Sequence, residues 1–142
     1  MRTYNYTLEI DGIELSCAFL YPDTATLFGQ WIIGSADGNG AISVPEADWK
    51  FWPETGKQMD ALAEYSLFSG AVSTALLPRR RCILHAAAFR RGDRAYVIAA
   101  KPGVGKSTQI RNLQEYWPGE FSVISGDRPL LAVRDDGSVW VC

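Results

Sequence analysis

The segment that most restricts the fold is Ala100-Lys101-Pro102-Gly103-Val104-Gly105-Lys106-Ser107, which stands between the apolar run Tyr96–Ala99 and the polar stretch Thr108–Gln114. This order predicts a strand, a glycine loop and a helix in direct succession. The segment fits the pattern G-x-x-x-x-G-K-[ST], with Ala100 at the first glycine position. Gly103 and Gly105 let consecutive N–H groups turn toward one point, and the following helix adds the positive end of its dipole. Such a loop is suited to an anion. Lys106 supplies a mobile charge for β- and γ-phosphates, and Ser107 a hydroxyl for a magnesium ion. Lys101, Pro102, Val104 and Thr108 complete the expected cradle of a nucleotide. The alternative is a glycine-rich turn with an incidental lysine.

The rest of the chain must supply a sheet and a core for this loop. With 142 residues, 47% of them apolar, the chain is long enough for one globular unit. Charged residues make up 21% and the net charge is only -2, which excludes the composition of a disordered chain. No apolar run approaches the ~20 residues that cross a bilayer, and the N-terminus lacks the apolar stretch of a secretion signal. A cytoplasmic protein without a membrane partner is expected. Cys17, Cys82 and Cys142 are odd in number and lack metal-ligand spacing, so reduced thiols are expected.

Charge is unevenly divided. Residues 1–78 carry 3 basic and 10 acidic side chains, whereas residues 79–142 carry 11 basic and 6 acidic ones. Arg79, Arg80, Arg81, Arg90, Arg91 and Arg94 lie in one short stretch, consistent with a solvated face, a phosphorylated ligand or nucleic acid. Nucleic acid is the least expected of these, because no reading helix or aromatic-basic interleaving accompanies the arginines.

Residues 1–78 are expected to form a small antiparallel sheet and one long helix, and residues 79–142 a partial nucleotide-binding domain, the two making one compact unit. Apolar residues alternate over Tyr4–Ile10 and Ile13–Phe19 around Asp11-Gly12, a hairpin signal. A Pro/Thr loop, a strand around Gln30–Gly34 and a further strand at Ala41–Val44 follow. Trp49, Phe51 and Trp52 are expected to cover a core. The three-to-four-residue spacing from Met59 to Leu76 predicts a helix within Thr55–Leu77, ended by Pro78. Cys82–Phe89 and Ala95–Ala99 read as strands joined by the turn Arg90–Arg94. Phe121–Ser125 and Ser138–Cys142 read as further strands, the latter after the turn Asp135-Asp136-Gly137. The fold class is α/β or α+β, with a mixed sheet around residues 82–125.

A magnesium nucleotide site commonly uses a carboxylate at the end of a neighbouring strand. Asp127, after Phe121–Ser125, could hold the metal or accept a proton from an attacking hydroxyl, or be a turn-forming residue after Gly126. Arg128 could steady transferred charge or pair with an acid. His85 is the single histidine. A lone histidine on an apolar strand is more often a satisfied core residue than a catalyst.

Taken together, Leu84-His85-Ala86, the loop Ala100–Ser107 and Ser125-Gly126-Asp127-Arg128 resemble the catalytic domain of the HPr serine kinase/phosphorylase family, itself similar to phosphoenolpyruvate carboxykinases. The resemblance covers about residues 80–135. It implies that His85 orients Asp127, that Asp127 is the base for a serine hydroxyl of a protein or peptide, and that Lys106 with Ser107 holds ATP phosphates and magnesium. Where the family carries two adjacent acids, this chain has Gly126-Asp127. The family continues beyond the position of Cys142, so the resemblance also implies a shortened form, or one that completes its C-terminal edge strand with another copy. The alternative function is a nucleotide-binding or assembly module without turnover.

Overall fold

The computed structural model describes residues 3–44, 60–101 and 103–142. The expected aromatic cover Trp49, Phe51 and Trp52, the helix start at Thr55–Met59, and Pro102 lie outside them. The fold is α+β, and it divides into two compact units, Met1–Ala75 and Leu76–Cys142.

In the first unit, β1 (Tyr4–Ile10) and β2 (Ile13–Phe19) form the expected hairpin, with Tyr4 opposite Phe19 and Ile10 opposite Ile13. Asp11 and Gly12 have φ of 50° and 72°. That is the two-residue turn whose twist matches the flanking strands. β3 (Ile32–Ser35) pairs antiparallel with the other side of β1. The expected strand at Ala41–Val44 reduces to a single parallel bridge between Ile42 and Cys17.

The expected Pro/Thr loop is instead a short helix, α1 (Pro22–Leu27). Pro22 sits at its first position with φ preset for a helix. Its other support comes from far along the chain. The buried carboxylate of Glu64 accepts hydrogen bonds from Leu20 N at 2.7 Å, Tyr21 N at 3.0 Å and Thr24 Oγ1 at 2.6 Å. Glu64 belongs to α2 (Ala61–Leu76), the described part of the long helix expected from the periodicity. Asp60 begins it, accepting a hydrogen bond from Ala63 N at 2.9 Å. A 3₁₀ turn containing Pro78 follows, and Arg80 leaves it in the left-handed conformation, φ 58°. Phe19 is 4.7 Å from Phe68 and 5.6 Å from Phe28, between ring centroids, so α1 and α2 close over the hairpin on an aromatic core.

The second unit contains two three-stranded sheets. β4 (Arg81–Ile83), β8 (Leu130–Val133) and β9 (Val139–Val141) form one in the order β4-β8-β9, and β5 (Ala86–Arg91), β6 (Arg94–Ala99) and β7 (Phe121–Ser125) the other in the order β6-β5-β7. β8 has no counterpart among the strands expected from the sequence. The sheet expected to be mixed over residues 82–125 is antiparallel throughout its described pairings, because β5 is central and runs against both neighbours.

The expected strand Cys82–Phe89 is broken at Leu84-His85. Leu84 N donates to Pro129 O at 3.1 Å and Ala86 N to Asp127 O at 2.8 Å, so the chain changes partners between β4 and β5. His85 therefore lies at a junction of strands rather than inside one. The turn at the other end of β5 is the expected hairpin, with Gly92 at φ 61°. Helix α3 (Lys106–Tyr116) lays Ile110 and Leu113 on Ala87, Phe89, Ile98 and Phe121. Burying a side chain of this size stabilises by roughly 1.5–3 kcal/mol, so this small core anchors the helix to the sheet.

The arginine-rich stretch is engaged locally. Arg80 pairs with Asp135 at 3.2 Å and Arg91 with Glu120 at 3.4 Å, while the Arg91 guanidinium stacks 4.0 Å from the Trp117 ring centroid. Arg90 donates to Gly92 O at 2.6 Å. Among the described residues no helix is long and apolar enough to cross a membrane.

Candidate functional site

Strand register decides where the candidate residues emerge. Ala86, at the start of β5, is opposite Ala99, at the end of β6. Ala88 is opposite Ser125, at the end of β7. Since β5 runs against both neighbours, its start lies beside their ends. His85, the loop that begins at Ala100, and Gly126-Asp127 consequently leave the sheet from one end.

At that end, His85 Nε2 lies 3.2 Å from Asp127 Oδ1, and Arg128 Nε lies 3.1 Å from Asp127 Oδ2. The aspartate backbone is held as well, through its carbonyl on Ala86 N. Arg128 N donates to Ser125 Oγ at 3.2 Å, which tightens the turn after β7. The His85 and Asp127 side chains are half-exposed, at 46% and 55%, so both reach solvent that a substrate could displace. His85 is thus neither a core residue nor on a strand.

The loop connects β6 to α3 directly. Gly103 and Gly105 have φ of 81° and 91°, values at which any side chain would be strained. Ala100 is not among the residues with positive φ, so the first position of the pattern does not require glycine in this chain. Gly105 is the N-cap of α3 and offers no side chain to cap it, and the first turn holds no acidic residue. Gln109 N is bonded to Gly105 O, which leaves the amides of Lys106, Ser107 and Thr108 without a partner inside the helix. Ser107 and Thr108 are exposed, as are Lys101 and Val104. The Lys106 ammonium folds back over the loop, donating to Ala100 O at 2.8 Å and to Lys101 O at 3.4 Å. Its partners are carbonyl oxygens rather than a carboxylate, so an incoming anion does not compete with an ion pair.

Among the described residues no three His, Cys, Asp or Glu side chains gather as a metal cage. Magnesium does not need one, because it keeps several waters and takes one or two protein oxygens together with phosphate oxygens. The exposed Ser107 hydroxyl fits that requirement, and the half-exposed Asp127 carboxylate is of the kind that accepts a hydrogen bond from one of the ion's waters. Gly126 contributes no ligand, although a Cβ there would meet nothing within 4 Å.

A shallow groove of about 430 Å³ lies at the opposite end of the sheet, lined by Arg90, Gly92, Gly119, Glu120, Phe121 and Ser122. None of the candidate residues lines it. Arg128 gains its place from the structure, which puts its guanidinium on the one carboxylate of the site. The adjacency of Arg128 to Asp127 was the available signal, but neighbouring residues on an extended chain point apart, and the turn after β7 brings them together. Comparison of the chain with protein-family models, with curated proteins and with solved structures finds no match to any of them.

Proposed function

We propose that this protein binds ATP with magnesium at residues 101–108 and transfers the γ-phosphoryl group to a serine or similar hydroxyl of a protein or peptide, in the manner of HPr serine kinase-like proteins. The observation that carries this reading is the common emergence of His85, the glycine loop and Asp127 from one end of the β6-β5-β7 sheet. The amides of the loop and of the first turn of α3 hold the phosphates, and Lys106 moves from the loop carbonyls to the β- and γ-oxygens. Ser107 and, through water, Asp127 would hold magnesium, which would offset charge on those oxygens. Asp127 accepts the proton of the acceptor hydroxyl as that oxygen bonds to the γ-phosphorus, and the bond to the β-phosphate oxygen breaks to release ADP. His85 fixes the direction of the carboxylate. Positioning and electrostatics supply most of the catalysis.

The test is labelling with γ-³²P-ATP and magnesium in the presence of candidate acceptor peptides. Label on a hydroxyl is expected with the natural sequence and not with Lys106→Ala; equal labelling by both would overturn the assignment.

A second reading, a nucleotide-binding or assembly module without turnover, is favoured by Gly126 and by the Arg128 guanidinium held on Asp127 Oδ2. It predicts a melting shift with ATP and no ADP release over hours. In either reading the protein works in the cytoplasm. A second copy pairing along β9, an edge strand with Val139 and Trp140 56% and 57% exposed, is the proposed oligomeric partner, and sedimentation velocity of the natural sequence and Trp140→Lys tests it.

A further inference from the structure

We propose that Arg128 serves as a fixed cation on Asp127, so that this carboxylate takes no metal ion directly and the site works with the single divalent ion that arrives on the nucleotide. The inference rests on the nucleotide site proposed above. Its basis is the geometry of the turn after β7. Arg128 Nε donates to Asp127 Oδ2 at 3.1 Å, and His85 Nε2 lies 3.2 Å from Oδ1, so a nitrogen stands against each oxygen. The guanidinium side chain is only 15% exposed, so water screens it less than a surface arginine. It is also held in place from its own backbone, where Arg128 N donates to Ser125 Oγ and the next residue, Pro129, is fully buried.

A divalent ion that binds protein oxygens directly, without a nucleotide, draws its charge balance from carboxylates. Here the second carboxylate is absent for want of a side chain rather than of space, since a Cβ at Gly126 would meet nothing within 4 Å. The remaining carboxylate is neutralised by a guanidinium that cannot lose its proton. A free divalent ion therefore finds little net charge to attract it. Arg128 supplies at Asp127 the positive charge that a second metal ion supplies in kinases with two. It is a positioning residue, because it acts on the reacting atoms through Asp127.

The test is titration of the nucleotide-free protein with manganese(II), followed by electron paramagnetic resonance, for the natural sequence, Asp127→Asn, Arg128→Gln and Arg128→Lys. Equal, weak binding by the natural sequence and Asp127→Asn is expected. Arg128→Gln should bind at least about tenfold more tightly, because a unit positive charge beside the carboxylate is removed, and Arg128→Lys should resemble the natural sequence. Manganese binding that weakens tenfold in Asp127→Asn would overturn the proposal, as would unchanged affinity in Arg128→Gln. If Arg128→Gln does not fold, the comparison of the natural sequence with Asp127→Asn decides alone. The melting shift of the natural sequence with ATP is read separately. Its absence would defeat the nucleotide reading without altering the metal comparison.

Discussion

His85 Nε2 and Asp127 Oδ1 stand 3.2 Å apart, one residue before β5 and two residues after β7, at the sheet end from which the glycine loop also leaves. The backbone repeats the contact, with Ala86 N on Asp127 O at 2.8 Å. The pair is therefore fixed by strand geometry, and its side chains need little reorganisation to act together.

Asp127→Asn separates binding from chemistry. The amide keeps the size of the side chain but is a poor proton acceptor, and a positioned general base contributes typically 10²–10⁴-fold. Phosphoryl transfer should fall by about that factor, while the ATP-induced melting shift should persist. Loss of both together would place Asp127 in nucleotide binding rather than proton transfer.

The two ends of the loop should differ in how ATP binding responds to exchanges between glycine and alanine. Gly105 has φ 91°, and a Cβ at such an angle costs roughly 1–2 kcal/mol, so Gly105→Ala should lower urea stability and weaken ATP binding. Ala100 has no positive φ, so Ala100→Gly should leave ATP affinity unchanged and destabilise by about 0.5–1 kcal/mol through backbone entropy. A gain in ATP affinity on Ala100→Gly would contradict the ordinary backbone conformation at that position.

Glu64 joins α1 to α2 through three donors and is 1% exposed. Its removal takes the acceptor at 2.7 and 3.0 Å from the amides of Leu20 and Tyr21 and leaves the Thr24 hydroxyl the longer bond to Ala61 O at 3.3 Å, at about 1–3 kcal/mol for each group left unsatisfied that water cannot reach. Glu64→Ala should destabilise by at least about 3 kcal/mol in urea titration, with loss of α1 visible as fast amide exchange at Phe28. A loss below about 1 kcal/mol would show that water replaces the carboxylate.

Burial pushes the Cys17 thiol up to about 12, from an ordinary value near 9. The unfolded chain releases this proton at lower pH than the folded one, so the contribution is intact below about pH 9 and is lost as pH rises toward 12, at about 1.4 kcal/mol per pH unit. At pH 8, exposed Cys142 should react with a disulfide reagent within minutes and Cys17 only on unfolding. Alkaline destabilisation that is unchanged in Cys17→Ala would remove the thiol as its cause.

The chain's local conformations were legible where one or two residues impose them. Asp11-Gly12 and Gly92 fix the hairpin turns, Gly103 and Gly105 the loop, and Pro78 the end of α2, because in each case the constraint is a φ value or a missing amide hydrogen. The resemblance to a kinase family also pointed to His85 beside Asp127, although nothing in the spacing of those residues gives a distance.

Other features depended on competition between distant groups. The run Cys82–Phe89 is apolar enough for one strand, yet it breaks at Leu84-His85 because the segment 127–129 takes the amides of Leu84 and Ala86. Residues 22–27 form a helix because Glu64, far along the chain, accepts the donors at its start. Likewise β7 could pair in either direction until its register against β5 was set, and only that antiparallel choice brings Asp127 to the end occupied by the loop. Sequence by itself determined the turns, the loop and the chemical inventory, since these follow from backbone freedom and side-chain type at single positions. Tertiary structure alone decided which strands pair and which oxygen each nitrogen reaches, since a hydrogen-bonding group takes whichever partner the rest of the fold delivers.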